Sequence, residues 1–291
     1  MVKMNVRLKG IFCIVASAFG FALMAMFVRL CDDYGESVSC FQKSFFRNLV
    51  ALGIAAAVFA SDKGGMRRIR GSVPKKGAFP LVLRCIFGTM GIFANFYALS
   101  HIPIAEGMAL NKTAPVFTVL FSWLFLGEAM RPARFAWMLT AFAGVLMVMK
   151  PGFGGGGVFA MSCALGGGLF AGAAYSCLRQ LGRLGVGGAF IVLFFSAFSC
   201  VASLPFLIFD FTPMSFAQVL ILLGAGAGAA AGQFGITMAY RFAEPRSIAV
   251  YDYTNVIFTA LLGLTFFDQR PDWISVAGFA VIMAAALKVR P

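Results

Sequence analysis

The fold is decided by residues 104–128, IAEGMALNKTAPVFTVLFSWLFLGE, read against residues 244–268, EPRSIAVYDYTNVIFTALLGLTFFD, at a shift of 140. Each stretch is apolar for about the 17–25 residues needed to cross a hydrocarbon core. Each ends on a carboxylate, Glu128 in one and Asp268 in the other. Each also carries one charged residue inside the run at the same offset, Lys112 in the first and Asp252 in the second. Glu106 falls on Arg246 at this shift, and Lys150-Pro151 falls on Arg290-Pro291. Towards the start of each half, Phe45-Phe46 matches Phe194-Phe195, and Arg29 and Arg179 each close a first span. The chain therefore reads as two similar halves, 1–151 and 152–291.

Working outward, further apolar runs give ten spans: 10–30, 39–60, 79–99, 104–126, 134–150, 157–178, 188–209, 216–239, 247–267 and 273–289. Backbone facing lipid must satisfy its own hydrogen bonds, so each span is predicted to be a helix. The composition agrees, at 60% hydrophobic and 12% charged with mean hydropathy +0.89. A soluble chain of 291 residues cannot enclose that much apolar side chain in one core. Five spans per half is an odd number, so the second half is inverted relative to the first. The fold expected is all-α and membrane-integral: ten transmembrane helices in two inverted repeats.

The net charge of +13 first suggests nucleic acid. The basic residues, however, sit in short gaps between spans, where topology accounts for them and no nucleic-acid partner is needed. With the N-terminus inside, the inner segments hold Lys3, Arg7, Lys9, six residues between Lys63 and Lys76, Arg131, Arg134, Arg179, Arg183, Arg241, Arg246, Lys288 and Arg290. The outer segments hold Lys150 and Arg270. That asymmetry places both termini in the cytoplasm.

Five cations fall outside those inner and outer segments: Arg29, Lys43, Arg47, Arg84 and Lys112. A charge at the bilayer centre costs about 2.5 kcal/mol or more, so each needs a partner or a role. Arg29 and Arg84 lie near span ends and are expected to snorkel. Lys43 is within reach of Asp32 and Asp33 and reads as structural. Arg47 and Lys112 lie at similar depth, roughly 12 Å along their helices. They form a pocket for a carboxylate or phosphate, or else each is neutralised by a protein carboxylate. Asp252 is the one acidic residue well inside a span, and it invites a direct pair with Lys112, a pair with Arg84, or a solute bridge. It is also the candidate for proton coupling.

Pro115 lacks an N–H and so frees the carbonyl of Asn111, which predicts a kink and a hinge beside Lys112. Asn255 is the counterpart of Pro115 in the second half. Tyr251, beside Asp252, either stacks on a planar solute or packs. Gly224, Gly228 and Gly232, and Gly168 and Gly172, repeat at the four-residue spacing that lets membrane helices approach closely. Gly154 to Gly157 is a link and not a phosphate loop, because the basic residue and Ser/Thr that should follow are missing. His101 is the sole histidine, and no metal or cofactor is expected.

Several motifs resemble the EamA-type members of the drug/metabolite transporter superfamily: Phe45-Phe46-Arg47-Asn48, Asn111-Lys112-Thr113-Ala114-Pro115-Val116-Phe117, Leu126-Gly127-Glu128 and Glu244-Pro245. The resemblance covers almost the whole chain. It implies a ten-helix carrier of the bacterial cytoplasmic membrane with a central cavity lined by spans one to four and six to nine. Spans five and ten would be peripheral, and Gly127-Glu128 would be a helix-end signature. Substrates would be amino acids, nucleotide-related metabolites, vitamins or drugs.

The expected function is secondary transport of a small polar zwitterion or anion by alternating access, coupled to protons or to exchange. Inverted repeats with a site near the midplane are common to such carriers. A broad-specificity exporter is the alternative. A lipid-modifying enzyme would need a nucleophile–base or metal constellation that the sequence lacks. A channel would need a polar stripe along several spans. The solute and the lipid bilayer are the expected partners, and a homodimer is left open.

Overall fold

A computed structural model describes residues 6–36, 38–61, 75–102, 104–150, 157–209, 211–268 and 270–288. Most of the basic loop between the second and third spans, and Gly154–Gly156, lie outside the described residues. Eight spans are single helices: Val6–Asp32, Cys40–Ser61, Lys75–His101, Pro132–Met149, Val158–Arg183, Gly188–Phe209, Phe216–Phe242 and Trp273–Lys288. The last of these has 16 residues. At the helical rise it is roughly 24 Å long, slightly short of a core about 30 Å thick.

The fourth and ninth spans correct the expectation of ten uninterrupted helices. The fourth is two helices, Ile104–Asn111 and Ala114–Leu126, with Lys112 and Thr113 between them. The ninth runs as Pro245–Ile248, a 3-10 turn Ala249–Tyr253, and then the helix Thr254–Phe267. The two breaks fall where the two halves differ most in charge. In the fourth span the cause is Pro115. A helix passing through it would lose a hydrogen bond and clash one turn back, whereas proline in the first turn of a new helix costs nothing. The chain therefore starts a new helix at Ala114.

A threonine side chain bonds back onto the preceding turn at each break. Thr113 Oγ1 donates to Leu110 O at 2.6 Å, and Thr254 Oγ1 donates to Tyr251 O at 2.7 Å. Membrane helices break only where the exposed backbone finds such partners.

Each half packs on the other. The first span lies along the eighth, the second along the seventh, the third along the sixth and the fifth along the tenth. Close approach explains the glycine repeats. A Cβ on Gly20 would lie 2.7 Å from Gly232 N, and one on Gly228 would lie 2.9 Å from Met24 N. Ser17 Oγ donates to Gly232 O at 2.7 Å across the same seam. In the sixth span, a Cβ on Gly168 would lie 3.0 Å from Leu110 O, so this helix is pressed against the break in the fourth. The fifth and tenth spans sit away from the cavity described below and supply none of its lining.

Candidate functional site

A cavity of about 840 Å³ lies between the two broken spans. Its wall comes from spans one to four and six to nine, so both halves contribute. The fourth span lines it from Met108 to Ala114, in its first part, and the ninth lines it from Asp252 to Phe267, in its later part. The helix Ala114–Leu126 begins at this wall, which places its positive dipole end beside the space.

Arg29, Lys43, Arg47, Arg84 and Lys112 all line this one cavity, and among the described residues Asp252 is the one acidic residue that does. The snorkelling expected of Arg84 is corrected. Its side chain is 2% exposed, it donates to Gln233 Oε1 at 3.0 Å, and its guanidinium carbon stands 4.0 Å from the Phe195 ring centroid. Arg29 stays at the exposed rim, over the Phe267 ring. Arg47 is buried, with its guanidinium 6.0 Å from the Phe21 ring centroid. Such cation–π contacts hold a guanidinium without neutralising it.

Lys112 Nζ donates to Asn255 Oδ1 at 2.6 Å, and Asn255 Nδ2 in turn donates to Ala18 O at 2.8 Å. Asn255 therefore ties the ninth span to the first and the fourth at the level of both breaks. Among the described residues, no ion pair within 4 Å joins Lys112 to Asp252 or Arg84 to Asp252. Asn111 also lines the cavity. Tyr251 is not part of the wall; it packs against the two larger apolar cores. Pro115 is buried behind the break and is not part of the wall.

The opposite end of the fourth and ninth spans is closed by charge pairing. Glu128 is 2% exposed and accepts from Arg179 Nε and Arg183 Nη2, both at 2.6 Å. Arg179 also reaches Glu244 at 3.8 Å, and Glu244 pairs with Arg246 at 2.5 Å. Arg183 donates to Leu126 O at 2.9 Å, and Arg246 donates to Ala129 O. The end of span four, the end of span six and the start of span nine are thereby cross-linked. The left-handed residue that turns the chain out of span four towards Glu128 is Gly127, at φ 64°.

Sequence reasoning missed Tyr175, Asn95 and Gln233 as cavity residues, and it weighed Arg84 as a partner of Asp252 while placing it at a span end. Arg84 carried a signal, a charge inside an apolar run with a glycine one turn later. Tyr175 and Gln233 carried none, since lone polar residues in a span look the same whichever way they face.

The sequence profile of the EamA-like transporter family matches residues 8–150. A protein from Pseudomonas aeruginosa, the pseudopaline exporter CntI, is 29% identical over 96% of this chain and 94% of its own. This chain is an EamA-type member of the drug/metabolite transporter superfamily. It is a multi-pass membrane protein, and its relatives are transporters. A riboflavin transporter from Brucella anthropi is 27% identical over 84% of this EamA-type chain and 85% of its own. A crystal structure at 20% identity superimposes with a TM-score of 0.74, covering 93% of this chain and 96% of that one; it shows the fold alone.

Proposed function

We propose that this protein is a secondary carrier. A small polar solute with anionic character binds in the cavity between the broken spans, and the halves 1–151 and 152–291 rock around it as inverted repeats. The observation that carries the reading is that both interruptions, at Lys112 and at Asp252, open onto one cavity walled by both halves. Broken helices at a repeat interface are how such carriers place polar groups at the membrane midplane. Arg47, Asn111, Lys112, Asp252 and Asn255 are the binding set, and Asp252 is the candidate for proton coupling.

With both termini in the cytoplasm, the cavity occupies the outer half of spans four and nine. This is then the outward-open state, and the Glu128 cross-link closes the cytoplasmic end. The membrane is the bacterial cytoplasmic membrane, in keeping with the bacterial relatives. An exporter is favoured over an importer by the name of the Pseudomonas relative.

The test is reconstitution. A thermal-shift screen of metabolites on purified protein selects a solute, which is then radiolabelled and followed into liposomes. Saturable flux, accelerated by unlabelled solute on the far side, is the expected result. Unsaturable flux would make the protein a channel, and no flux for any stabilising metabolite would remove the carrier reading.

A further inference from the structure

Arg47 and Arg84 are 8% and 2% exposed, both face the cavity, and the Nε of each has no hydrogen-bond partner. Among the described residues neither forms an ion pair within 4 Å. A buried guanidinium without a counter-charge is costly and needs its partner from elsewhere. The rest of the wall makes this sharper, because among the described residues Lys112 also faces the cavity and Asp252 is the one carboxylate that does. A singly charged solute would leave part of that excess unbalanced.

The backbone is shaped around this arrangement. A Cβ on Gly88 would lie 2.1 Å from Arg84 Nη1 and 2.6 Å from Phe195 Cε2. The guanidinium therefore lies across the bare backbone one turn after its own Cα, held on its other face by Phe195. Gln233 accepts one of its N–H groups, which leaves the remaining donors for a ligand.

We propose that Arg47 and Arg84 form an oxyanion-binding pair that selects a solute with two or more carboxylate or phosphate groups, with Gly88 making the space that aims Arg84 into the cavity. The proposal rests on the cavity being the solute's path. A guanidinium presents a planar fork that matches a carboxylate or phosphate edge with two hydrogen bonds, which a lysine cannot reproduce. Lys112, fixed by Asn255, meets a second anionic group across the cavity, and Asp252 takes the place beside any ammonium or hydroxyl the solute carries.

The experiment uses the full chain in phosphatidylcholine nanodiscs and follows its thermal unfolding against citrate, acetate and putrescine at constant ionic strength. Citrate raises the midpoint saturably, acetate much less, and putrescine leaves it unchanged. Arg84→Gln weakens the apparent citrate affinity at least tenfold, and Gly88→Ala does the same without removing a charge. Gly88→Ala also covers the case in which Arg84→Gln does not fold, since the groups it displaces are side-chain ends and not backbone. Equal citrate responses in wild type and Gly88→Ala, or stabilisation by putrescine, would overturn the proposal.

Replacing the lipid with phosphatidylglycerol separates two sources of the anion. Loss of the citrate effect there assigns the pair to a lipid headgroup, and persistence assigns it to a soluble solute. A citrate response without trans-accelerated flux removes the carrier reading and leaves the pair. Carrier flux of a cationic solute, unchanged in Arg84→Gln, removes the pair and leaves the carrier.

Discussion

Lys112 donates a hydrogen bond to Asn255 Oδ1, at 2.6 Å, and makes no ion pair with Asp252, although the two charges sit at equivalent offsets in their spans. The lysine is thus oriented by a neutral partner, and the aspartate faces the same cavity separately. The exchanged pair Lys112→Asp with Asp252→Lys should accordingly fail to restore flux. Recovery to more than a tenth of the wild-type rate would show that the two charges act as a direct pair.

Asn255 serves two neighbours at once, Lys112 and the Ala18 carbonyl. Asn255→Ala leaves both without their partner. An unpaired buried polar group costs about 1–3 kcal/mol, so the variant should unfold at a clearly lower temperature as well as transport poorly. An unchanged midpoint would mean that the asparagine does not hold the first, fourth and ninth spans together.

The Glu128 carboxylate is buried against Arg179, which is 13% exposed, and against Arg183, which is 40% exposed. Glu128→Gln removes the buried carboxylate charge that both cations share, leaving Arg179 with Glu244 at 3.8 Å and Arg183 with the Leu126 carbonyl. Removing one partner of a buried pair costs about 3–5 kcal/mol. Arg183→Gln removes a largely solvated partner and should cost about 1 kcal/mol or less. Thermal unfolding of the two variants side by side should therefore rank Glu128→Gln well below Arg183→Gln; the reverse order would contradict the burial argument.

The seam between spans one and eight has no room for a methyl group. Because the obstacle at Gly20 is the backbone of Gly232, neither a rotamer change nor a small shift relieves it. Overpacking of this kind costs about 1–3 kcal/mol. Gly20→Ala should lower the folded yield on size-exclusion chromatography, while Gly53→Ala, where the added atom meets nothing within 4 Å, should not.

Outside the membrane, Asp272 accepts hydrogen bonds from Lys150 and from the Ser275 N–H at the start of the last span, which pulls its carboxyl down to about 2. A carboxylate unfolds to a value of about 3.9. Its stabilising contribution is therefore complete above pH 4 and is lost only as the pH falls towards 2. Asp272→Asn should leave the pH dependence of unfolding unchanged between pH 5 and 8. A difference confined to that range would assign the effect to another group.

Much of this architecture could be read from the chain. Apolar run length gave the spans, and the 140-residue register put Lys112 and Asp252 at equivalent offsets, though not that they stay unpaired. The breaks themselves were half-visible: Pro115 marked one, but nothing in Tyr251-Asp252-Tyr253 announces a 3-10 turn. Tyr251 lies beside Asp252 in the sequence, and that adjacency does not say that it faces the same space; it packs into the apolar cores. Arg84 was misplaced because distance from a span end says how deep a side chain starts, not which way it faces. Only the packing of Phe195 and Gly88 around it turns it inward.

The central claim, that solute passes between the two broken spans, is tested most directly by trans-accelerated flux in liposomes containing Lys112→Ala or Asp252→Asn. Each variant should elute as folded protein and show flux reduced to background, at least a hundredfold below wild type. Wild-type flux through both variants would contradict the account.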